Sequence, residues 1–215
     1  MNTKPQTASG RLVLFDFDGT LTWGDTFGAF LLFSVSGWNL FTGMFLLLFK
    51  LPVLLFLEKN TRAERAKAAI LEVFFVGKSR QELDRIGRSF CQNRLPALLR
   101  PQMIDILRAS RDAGDTVAIV SASMDLWLRP FCEAEGITLI CTELQYVQEV
   151  FTGYFATPNC NRQEKAQRIL EAFPLNQFVY IVAYGNSPGD AAMFGLAHEA
   201  WYCYPDGRMK KWKSE

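Results

Sequence analysis

Strand-like and helix-like segments alternate along the second half of the chain, and this alternation constrains the fold more than any other feature of the sequence. After Gly114, short apolar runs of strand length are separated by stretches of helix length. The predicted strands span 116–122, 137–141, 178–184 and 200–204, and the predicted helices span 125–135, 162–173 and 190–196. Because parallel strands are joined by helical crossovers, the pattern predicts an α/β fold with a mainly parallel sheet and helices on both faces. Ligands bind such sheets at the carboxyl ends of the strands.

The first predicted strand, 11–18, ends in acidic residues. Its apolar start leads directly into Asp16-Phe17-Asp18-Gly19-Thr20. Alternation along a strand places Asp16 and Asp18 on one face, near the carboxyl edge of the sheet. Two carboxylates this close repel each other unless a cation lies between them, which indicates a divalent metal. Gly19 allows the backbone to turn away sharply at this point.

These residues resemble the first motif of the haloacid dehalogenase superfamily, and three later segments match its other motifs in the expected order. Ser121 ends a predicted strand, as the serine or threonine of the second motif does. Lys165 lies at the start of a predicted helix and matches the lysine of the third motif, and 184–190 follows a strand like the acidic fourth motif. Within the superfamily the chain is similar to the subfamily that contains phosphoserine phosphatase. The resemblance implies a Rossmann-like core with an inserted helical cap of the C1 type.

The resemblance also implies a role for each motif residue. Asp16 is expected to attack phosphorus and form an aspartyl-phosphate. Asp18 is expected to protonate the leaving oxygen and then to activate the hydrolytic water. Lys165 is a third catalytic residue, because it balances charge on the phosphoryl oxygens. The residues expected to bind the substrate phosphate are Thr20, Ser121, Ala122 and Lys165.

Mg²⁺ is the cofactor that the resemblance implies. Its expected ligands are Asp16, Asp18 (through the backbone carbonyl), Asn186 and Asp190. Asn186 departs from the family pattern, which usually has an aspartate at this position. An amide oxygen can bind Mg²⁺ but contributes no charge, so a lower metal affinity is expected. Asp190 can serve as a ligand directly or through water.

A segment between the first and second motifs is expected to form the cap. The predicted catalytic core comprises 1–22 and 101–215, and the helical cap comprises 23–100 with an apolar hairpin at 27–57. Two pairs predict helix starts, Thr61 with Glu64 and Ser79 with Glu82, opening helices at about 62–76 and 80–94. Pro101 begins a further helix that Gly114 ends, and 145–155 is predicted to be a hairpin turning near Thr152–Gly153.

The predicted apolar hairpin is long enough that contact with a membrane has to be considered. Residues 26–49 contain 24 residues without a charge, a length typical of a transmembrane candidate. A single crossing would place Asp16 and Ser121 on opposite sides of the bilayer, however, and 36–39 looks like a helix break. We therefore expect an interfacial or re-entrant hairpin, with Lys50 and the tail lysines Lys210, Lys211 and Lys213 near anionic headgroups. The alternatives are a cap that packs its apolar face internally or against a second subunit, and a frayed, solvated tail.

These features predict a Mg²⁺-dependent phosphatase acting on a membrane lipid phosphate. The apolar hairpin and the Tyr-Gly-Asn-Ser sequence resemble lipid-phosphate members of the subfamily, such as the phosphatidylglycerophosphatase C group. One alternative is a soluble phosphatase of a small metabolite such as phosphoserine, and another is a weakly active membrane-binding or scaffold protein. The expected location is cytoplasmic, peripheral on the cytoplasmic face of the inner membrane, because residues 1–10 are polar.

Composition narrows the remaining classes of function. The net charge of +1 gives no reason to expect a nucleic-acid partner. Five scattered cysteines predict reduced, buried thiols, and His198, the single histidine, is interpreted as structural. Asp25 is expected either to sense the substrate head group or to cap the first cap helix, and Asp125 is expected to be a helix cap near Ser123.

Overall fold

A computed structural model describes residues 10–50 and 59–213 of the chain. Its strands are β1 (Arg11–Phe15), β2 (Thr116–Met124), β3 (Thr138–Thr142), β4 (Leu144–Val147), β5 (Val150–Phe155), β6 (Tyr180–Gly185), β7 (Glu199–Cys203) and β8 (Met209–Lys211). Its helices are α1 (Thr26–Ser34), α2 (Gly37–Lys50), α3 (Lys59–Phe75), α4 (Arg80–Asn93), α5 (Pro101–Asp112), α6 (Asp125–Glu135), α7 (Gln163–Ala172) and α8 (Ala191–Phe194).

The main sheet confirms the predicted α/β architecture. Its strand order is β3-β2-β1-β6-β7-β8, and every neighbouring pair is parallel except β7 and β8. The central strand β1 pairs with β2 on one side and β6 on the other, with Val13 opposite both Val117 and Val182. The carboxyl ends of β2, β1 and β6 therefore lie side by side, and this edge brings Asp16, Ser121 and Asn186 together.

Alternation along β1 builds a core on both faces of the sheet. Val13 and Phe15 pack into a cluster that includes residues of α5 and α6, such as Leu107 and Trp127. Leu12 and Leu14 pack into a second cluster that includes residues of α7 and α8. Because both faces are covered by helices, the strand reads as a continuous apolar run, as is typical of parallel sheets.

Among the described residues between β1 and α5, four helices are present, α1 to α4. Helix α1 ends at Ser34 and α2 begins at Gly37, which confirms the predicted break. No helix in the described ranges is both long enough and apolar enough to cross a bilayer. The end of the predicted hairpin, residues 51–57 with Pro52, lies outside the described residues.

Local turn chemistry overturns the predicted position of the β4–β5 turn. The turn lies at Gln148 and Glu149, whose φ angles are +50° and +61°, and not near Thr152–Gly153. Gly153 lies within β5, where a Cβ atom would come within 3.2 Å of Val76 Cγ2. The glycine therefore serves the close packing of β5 on α3 and not the turn.

Two of the three predicted helix caps are wrong. Helix α3 is already formed at Lys59, so Thr61 lies inside it and not at its N-cap, because no glycine or proline stops the helix there. The N-cap of α6 is Met124, and Asp125 is the first helical residue, where it accepts a 3.3 Å hydrogen bond from Arg129. Ser79 does cap α4 as predicted, accepting a hydrogen bond from the Glu82 backbone.

The strand 200–204 does not close the sheet, because β8 follows it. Lys210 and Lys211 belong to β8, and Lys211 Nζ lies 3.7 Å from Glu199. Trp212 stacks on Tyr202 with ring centroids 6.1 Å apart. Residues 209–212 are therefore an ordered edge of the sheet and not a frayed tail.

Candidate active site

Asp16 lies at the first position after the central strand. Its backbone N–H donates a 2.8 Å hydrogen bond to the Tyr184 carbonyl, which extends the pairing of β1 with β6 to the strand end. The carboxylate is buried and accepts hydrogen bonds from Lys165 Nζ at 2.5 Å and from Thr20 Oγ1 at 3.1 Å. Thr20 therefore orients Asp16 in this structure.

Lys165 joins two carboxylates below the cleft. The side chain is 2% exposed, and its Nζ lies 2.5 Å from Asp16 and 2.6 Å from Asp190. Burial alone would lower the pKa of Lys165, but the two carboxylates outweigh burial and raise that pKa above its ordinary value. Burial also raises the pKa of Asp16 to about 7, against the opposing effect of Lys165. A cation near Asp16 would favour its charged form further.

Both carboxylate oxygens of Asp190 are engaged within the fold. Oδ1 accepts from Lys165, and Oδ2 accepts from the Asn186 and Ser187 backbone N–H groups at 3.1 and 3.0 Å. Ser187 Oγ adds a hydrogen bond of 2.9 Å to the same oxygen. A Cβ atom on Gly185 would lie 2.7 Å from the Asp190 side chain, so the strand end needs glycine there. Asp190 thus orders the loop that presents Asn186.

The surroundings of Asn186 fit a cation. Its amide oxygen faces only acceptors, Asp16 Oδ2 and the Asp18 carbonyl, whereas a swapped amide would donate to both at 3.3 Å. Its amide nitrogen lies against Gly19, where a Cβ atom would be only 2.0 Å away. Three converging oxygens are the kind of ligand set that Mg²⁺ prefers. These donors are one carboxylate, one carbonyl and one amide, and no group of three or more His, Cys, Asp or Glu residues in the described ranges is placed to hold a metal.

The Asp18 side chain points toward the start of α1 and the end of β2. Its Oδ1 accepts 2.7 Å hydrogen bonds from the backbone N–H and the hydroxyl of Thr26, and its Oδ2 accepts from the Ser123 hydroxyl. Trp127 Nε1 donates to the same Thr26 hydroxyl at 3.0 Å. Burial, and then the nearby Asp25, raise the pKa of Asp18, which favours the protonated form that a general acid needs. This network was not predicted from the sequence, because Thr26, Ser123 and Trp127 are brought to Asp18 only by the fold.

The remaining predicted residues line a cleft of about 430 Å³ above Asp16. Ser121 is buried at the end of the straight part of β2, and its hydroxyl accepts a 3.0 Å hydrogen bond from the Ser123 backbone. Ala122 follows it along the cleft wall. The residues of the lining are Asp16, Asp18, Gly19, Trp23, Gly24, Asp25, Lys67, Ser121, Ala122, Asn161, Lys165, Asn186, Ser187 and Pro205.

The cleft also contains residues that the sequence did not single out. Lys67 of α3 reaches it from the cap side, with Nζ 3.8 Å from Asp25 Oδ2. Asp25 caps α1 by accepting a 2.7 Å hydrogen bond from the Phe27 backbone, which is one of its two predicted roles. Asn161 lies just before α7. Side chains from a distant helix have no local sequence signal, and only the fold reveals them.

The single histidine and the cysteines lie outside the cleft. His198 Nδ1 accepts a 3.0 Å hydrogen bond from the Ile181 backbone, and its ring stacks on Tyr180. Cys91 is half-buried, and the other four cysteines are buried and free. The interpretation of these residues as structural agrees with this placement.

Comparison with known proteins identifies the family. The model of the haloacid dehalogenase-like hydrolase family matches residues 13–195. Protein CicA of Caulobacter vibrioides is 33% identical over 194 residues, which cover 89% of this chain and 85% of CicA.

Solved structures share the fold. A Bordetella pertussis Tohama I protein of unknown function superposes with a TM-score of 0.71 at 23% identity, covering 90% of this chain and 89% of that one. Phosphoserine phosphatase in its apo form superposes with a TM-score of 0.60 at 16% identity, covering 89% and 85%. At these identities the likeness concerns the fold. The family match over residues 13–195 shows that this chain belongs to the haloacid dehalogenase-like hydrolase family.

Proposed function

We propose that the protein is a Mg²⁺-dependent phosphatase that hydrolyses phosphomonoesters through an aspartyl-phosphate on Asp16. The observation that carries this proposal is the buried Asp16–Lys165–Asp190 arrangement at the floor of an open cleft. Lys165 favours the ionised nucleophile and can balance the charge of an arriving phosphoryl group.

The reaction has two balanced steps. A carboxylate oxygen of Asp16 attacks phosphorus, the bond from phosphorus to the ester oxygen breaks, and protonated Asp18 gives its proton to the departing alkoxide. Asp18, now a carboxylate, then takes a proton from water as that water attacks phosphorus. The bond between Asp16 and phosphorus breaks, and inorganic phosphate leaves. Ser121, the Ala122 backbone and Lys165 hold the phosphoryl oxygens in both steps.

The residues that would hold Mg²⁺ are Asp16, Asn186 and Asp18, the last through its carbonyl. When bound, the ion would neutralise charge on the phosphoryl oxygens and hold Asp16 ionised. Asp190 has its oxygens engaged by Lys165 and the loop backbone, so in this proposal it positions Asn186 and contacts the ion at most through water.

A lipid phosphate is the substrate class that the cap favours. Trp38, Phe41 and Phe45 of α2 are 76%, 66% and 55% exposed, and Met44 and Leu46 are exposed beside them. These five residues span about 200° of the helix circumference, whereas Gly43 and Leu47 face the protein. We call these five exposed residues the apolar arc.

The width of the apolar arc favours a lipid surface over a protein partner. A second subunit or an internal contact would bury one stripe of the helix, but the arc is apolar on several sides and carries no charge. The 14 residues of α2 that the structure describes span about 21 Å, a length that suits insertion into one leaflet. We therefore place the enzyme peripherally on the cytoplasmic face of the inner membrane.

Phosphate release from phosphatidylglycerophosphate in mixed micelles tests both the Mg²⁺-dependent phosphatase reaction and the lipid substrate. We expect release that requires Mg²⁺ and that Asp16→Asn abolishes. Turnover of phosphoserine or other small phosphomonoesters without turnover of the lipid would favour the small-metabolite phosphatase. Absence of turnover with every substrate would favour the weakly active membrane-binding protein.

Vesicle flotation tests the apolar arc separately. The full chain is expected to float with vesicles of phosphatidylglycerol and phosphatidylethanolamine, and the double substitution Phe41→Ser and Phe45→Ser is expected to abolish flotation. Tyr154→Ser, which removes an exposed aromatic residue from β5, is the matched control and should float normally. Equal flotation of all three proteins would exclude the arc as the membrane contact.

A further inference from the structure

Trp23 is an exposed aromatic residue in the wall of the active cleft. Its side chain is 53% exposed, although it lies in the cleft that begins at the almost fully buried Asp16 and Lys165. Its backbone N–H donates a 3.0 Å hydrogen bond to the Leu98 carbonyl, so the two segments that join the core to helices α1–α4 meet at this residue. Nothing in the phosphatase chemistry described above uses it.

Arg100 holds the Trp23 ring in place. The guanidinium carbon lies 4.9 Å from the centre of the ring, and the Arg100 residue is 2% exposed. Its Nη1 donates a 2.8 Å hydrogen bond to the Gly19 carbonyl, and its Nη2 donates a 2.7 Å hydrogen bond to the Tyr204 carbonyl. One planar group therefore connects the turn after Asp18, the β7–β8 loop and the Trp23 ring.

The partners of Arg100 are unusual for a buried cation. In the ranges 10–50 and 59–213, no carboxylate forms an ion pair with it, and two backbone carbonyls and one aromatic face take that place. An apolar residue in place of Arg100 would leave both carbonyls without this donor, which is costly in a buried position. Arg100 therefore satisfies two carbonyls and, with the same planar group, fixes the position of the Trp23 ring.

The cleft is buried at its floor and open at its mouth, and this difference indicates which part of a substrate would lie next to the Trp23 ring. The phosphoryl group lies against Asp16 and Lys165 at the floor, so the leaving group must extend toward the mouth, where Trp23, Gly24 and Pro205 form part of the wall. A fixed, solvent-exposed indole in this position offers an apolar surface, and burying it against the leaving group would favour substrates whose leaving group has an apolar part that extends to the mouth of the cleft.

We propose that Trp23 is a specificity-determining residue that contacts the acyl-glycerol part of a lipid leaving group, and that Arg100 is the positioning residue that holds it there. This inference rests on the proposed function, because it names the part of the substrate that the same cleft selects.

Binding calorimetry in the Asp16→Asn background tests the contact without turnover. The ligands are dihexanoyl phosphatidylglycerophosphate and glycerol 3-phosphate, which share a phosphomonoester on glycerol but differ in the lipid portion. The Asp16→Asn protein is expected to bind the dihexanoyl ligand more tightly. Adding Trp23→Ala should raise the Kd of the dihexanoyl ligand about tenfold and change the Kd of glycerol 3-phosphate by less than about twofold. Trp23→Phe should give an intermediate Kd for the dihexanoyl ligand.

The role of Arg100 is tested by a double-mutant cycle with the same ligands. Arg100→Met should reduce the preference for the dihexanoyl ligand in the Trp23 protein but have no further effect in the Trp23→Ala protein, and Arg100→Lys should retain part of the preference. If Arg100 had only a structural role, Arg100→Met would weaken the binding of both ligands equally, in the Trp23 protein and in the Trp23→Ala protein.

Three results would overturn the inference: no preference for the dihexanoyl ligand, an equal effect of Trp23→Ala on both ligands, or no effect of it on either. Failure of the proposed function is a separate result, seen as absent phosphate release by the unmodified chain.

Discussion

Lys165 is the residue on which the charge balance of the site depends. Asp16 and Asp190 both approach its buried ammonium, and either carboxylate without it would be a buried, uncompensated charge. In the proposed function Lys165 contributes both to stability and to catalysis, so a test has to measure the two separately.

Replacing Lys165 by methionine is expected to lower kcat at least about hundredfold, because the phosphoryl oxygens lose a fixed positive charge. The measurement is phosphate release at saturating substrate, with thermal unfolding to confirm a folded protein. Lys211→Met removes a half-exposed lysine from β8 and should leave kcat unchanged. Retention of more than a tenth of the activity by the Lys165 variant would contradict the assigned role.

Asn186→Asp is expected to strengthen metal binding. The substitution adds a negative charge to the converging oxygens of Asp16 and the Asp18 carbonyl, so the Mg²⁺ concentration for half-maximal activity should fall, by about tenfold if one charge adds ~1.4 kcal/mol. Asn176→Asp, at an exposed position, is the control. An unchanged or higher requirement for Mg²⁺ would show that Asn186 does not face the ion.

At the scale of elements, the packing of α4 on α6 depends on a glycine. A Cβ atom on Gly87 would lie 2.0 Å from the Leu126 carbonyl oxygen, a backbone atom that cannot move aside alone. The two helices can approach this closely only with glycine at that position, although glycine weakens a helix interior.

Gly87→Ala is therefore expected to lower the free energy of unfolding by about 1–3 kcal/mol, through overpacking. Gly28→Ala in α1 is the matched control, because its Cβ would meet nothing within 4 Å and alanine favours the helix. Urea unfolding of both variants measures the difference. A Gly87 variant as stable as the Gly28 variant would mean that α4 and α6 do not pack this closely.

Glu135 joins α5 to the end of α6 and makes stability depend on pH. Arg108 Nη2 and Arg111 Nη1 donate to its carboxylate at 2.5 and 2.7 Å, and the hydrogen bond from Arg108 is the main cause of a lowered Glu135 pKa. A lowered folded-state pKa means that the stabilisation is present above pH 4.5, the ordinary value, and is lost as the pH falls through the folded-state pKa.

Glu135→Gln should consequently destabilise the protein by about 1–3 kcal/mol at pH 7, and the difference from the unmodified chain should shrink below pH 4.5. Glu133→Gln, which affects an exposed pair with Arg88, should cost much less. Urea unfolding of each protein at pH 7 and below pH 4.5 provides the comparison. If the difference in unfolding free energy between Glu135→Gln and the unmodified chain did not depend on pH, the ion-pair explanation would be contradicted.

The elements also show how far sequence patterns reach. Helix α6 agrees with its predicted bounds, 125–135, and the strands of the parallel sheet shift by only one to three residues, because apolar runs and their flanking polar residues are local signals. The β4–β5 turn was predicted at the wrong place because Gln148 and Glu149 are not typical turn residues. Gly153 suggested a turn, but it lies within β5, where it allows the strand to pack closely on α3. The partners of Asp18 were missed for a related reason: Thr26 and Ser123 lie far apart in sequence and meet only through the fold.

At the scale of the whole molecule, the site depends on two layers of structure. The sheet edge positions Asp16 and the oxygens that converge with Asn186, helix α7 adds Lys165, and all of these residues were singled out from the sequence motifs. The helical segment supplies Thr26 to Asp18 and Lys67 to the cleft, while turning an apolar arc outward. In the proposed function, the first layer performs the chemistry and the second brings it to a lipid surface.

Trapping of the phosphoenzyme tests the central claim, that Asp16 is the nucleophile, most directly. The full chain is mixed with substrate and Mg²⁺, quenched in acid within the first turnover, and mapped by peptide mass spectrometry. We predict one phosphoryl group on the peptide that contains Asp16 and none with Asp16→Asn. Turnover by the Asp16→Asn protein, or a phosphoryl group on another residue, would contradict the mechanism.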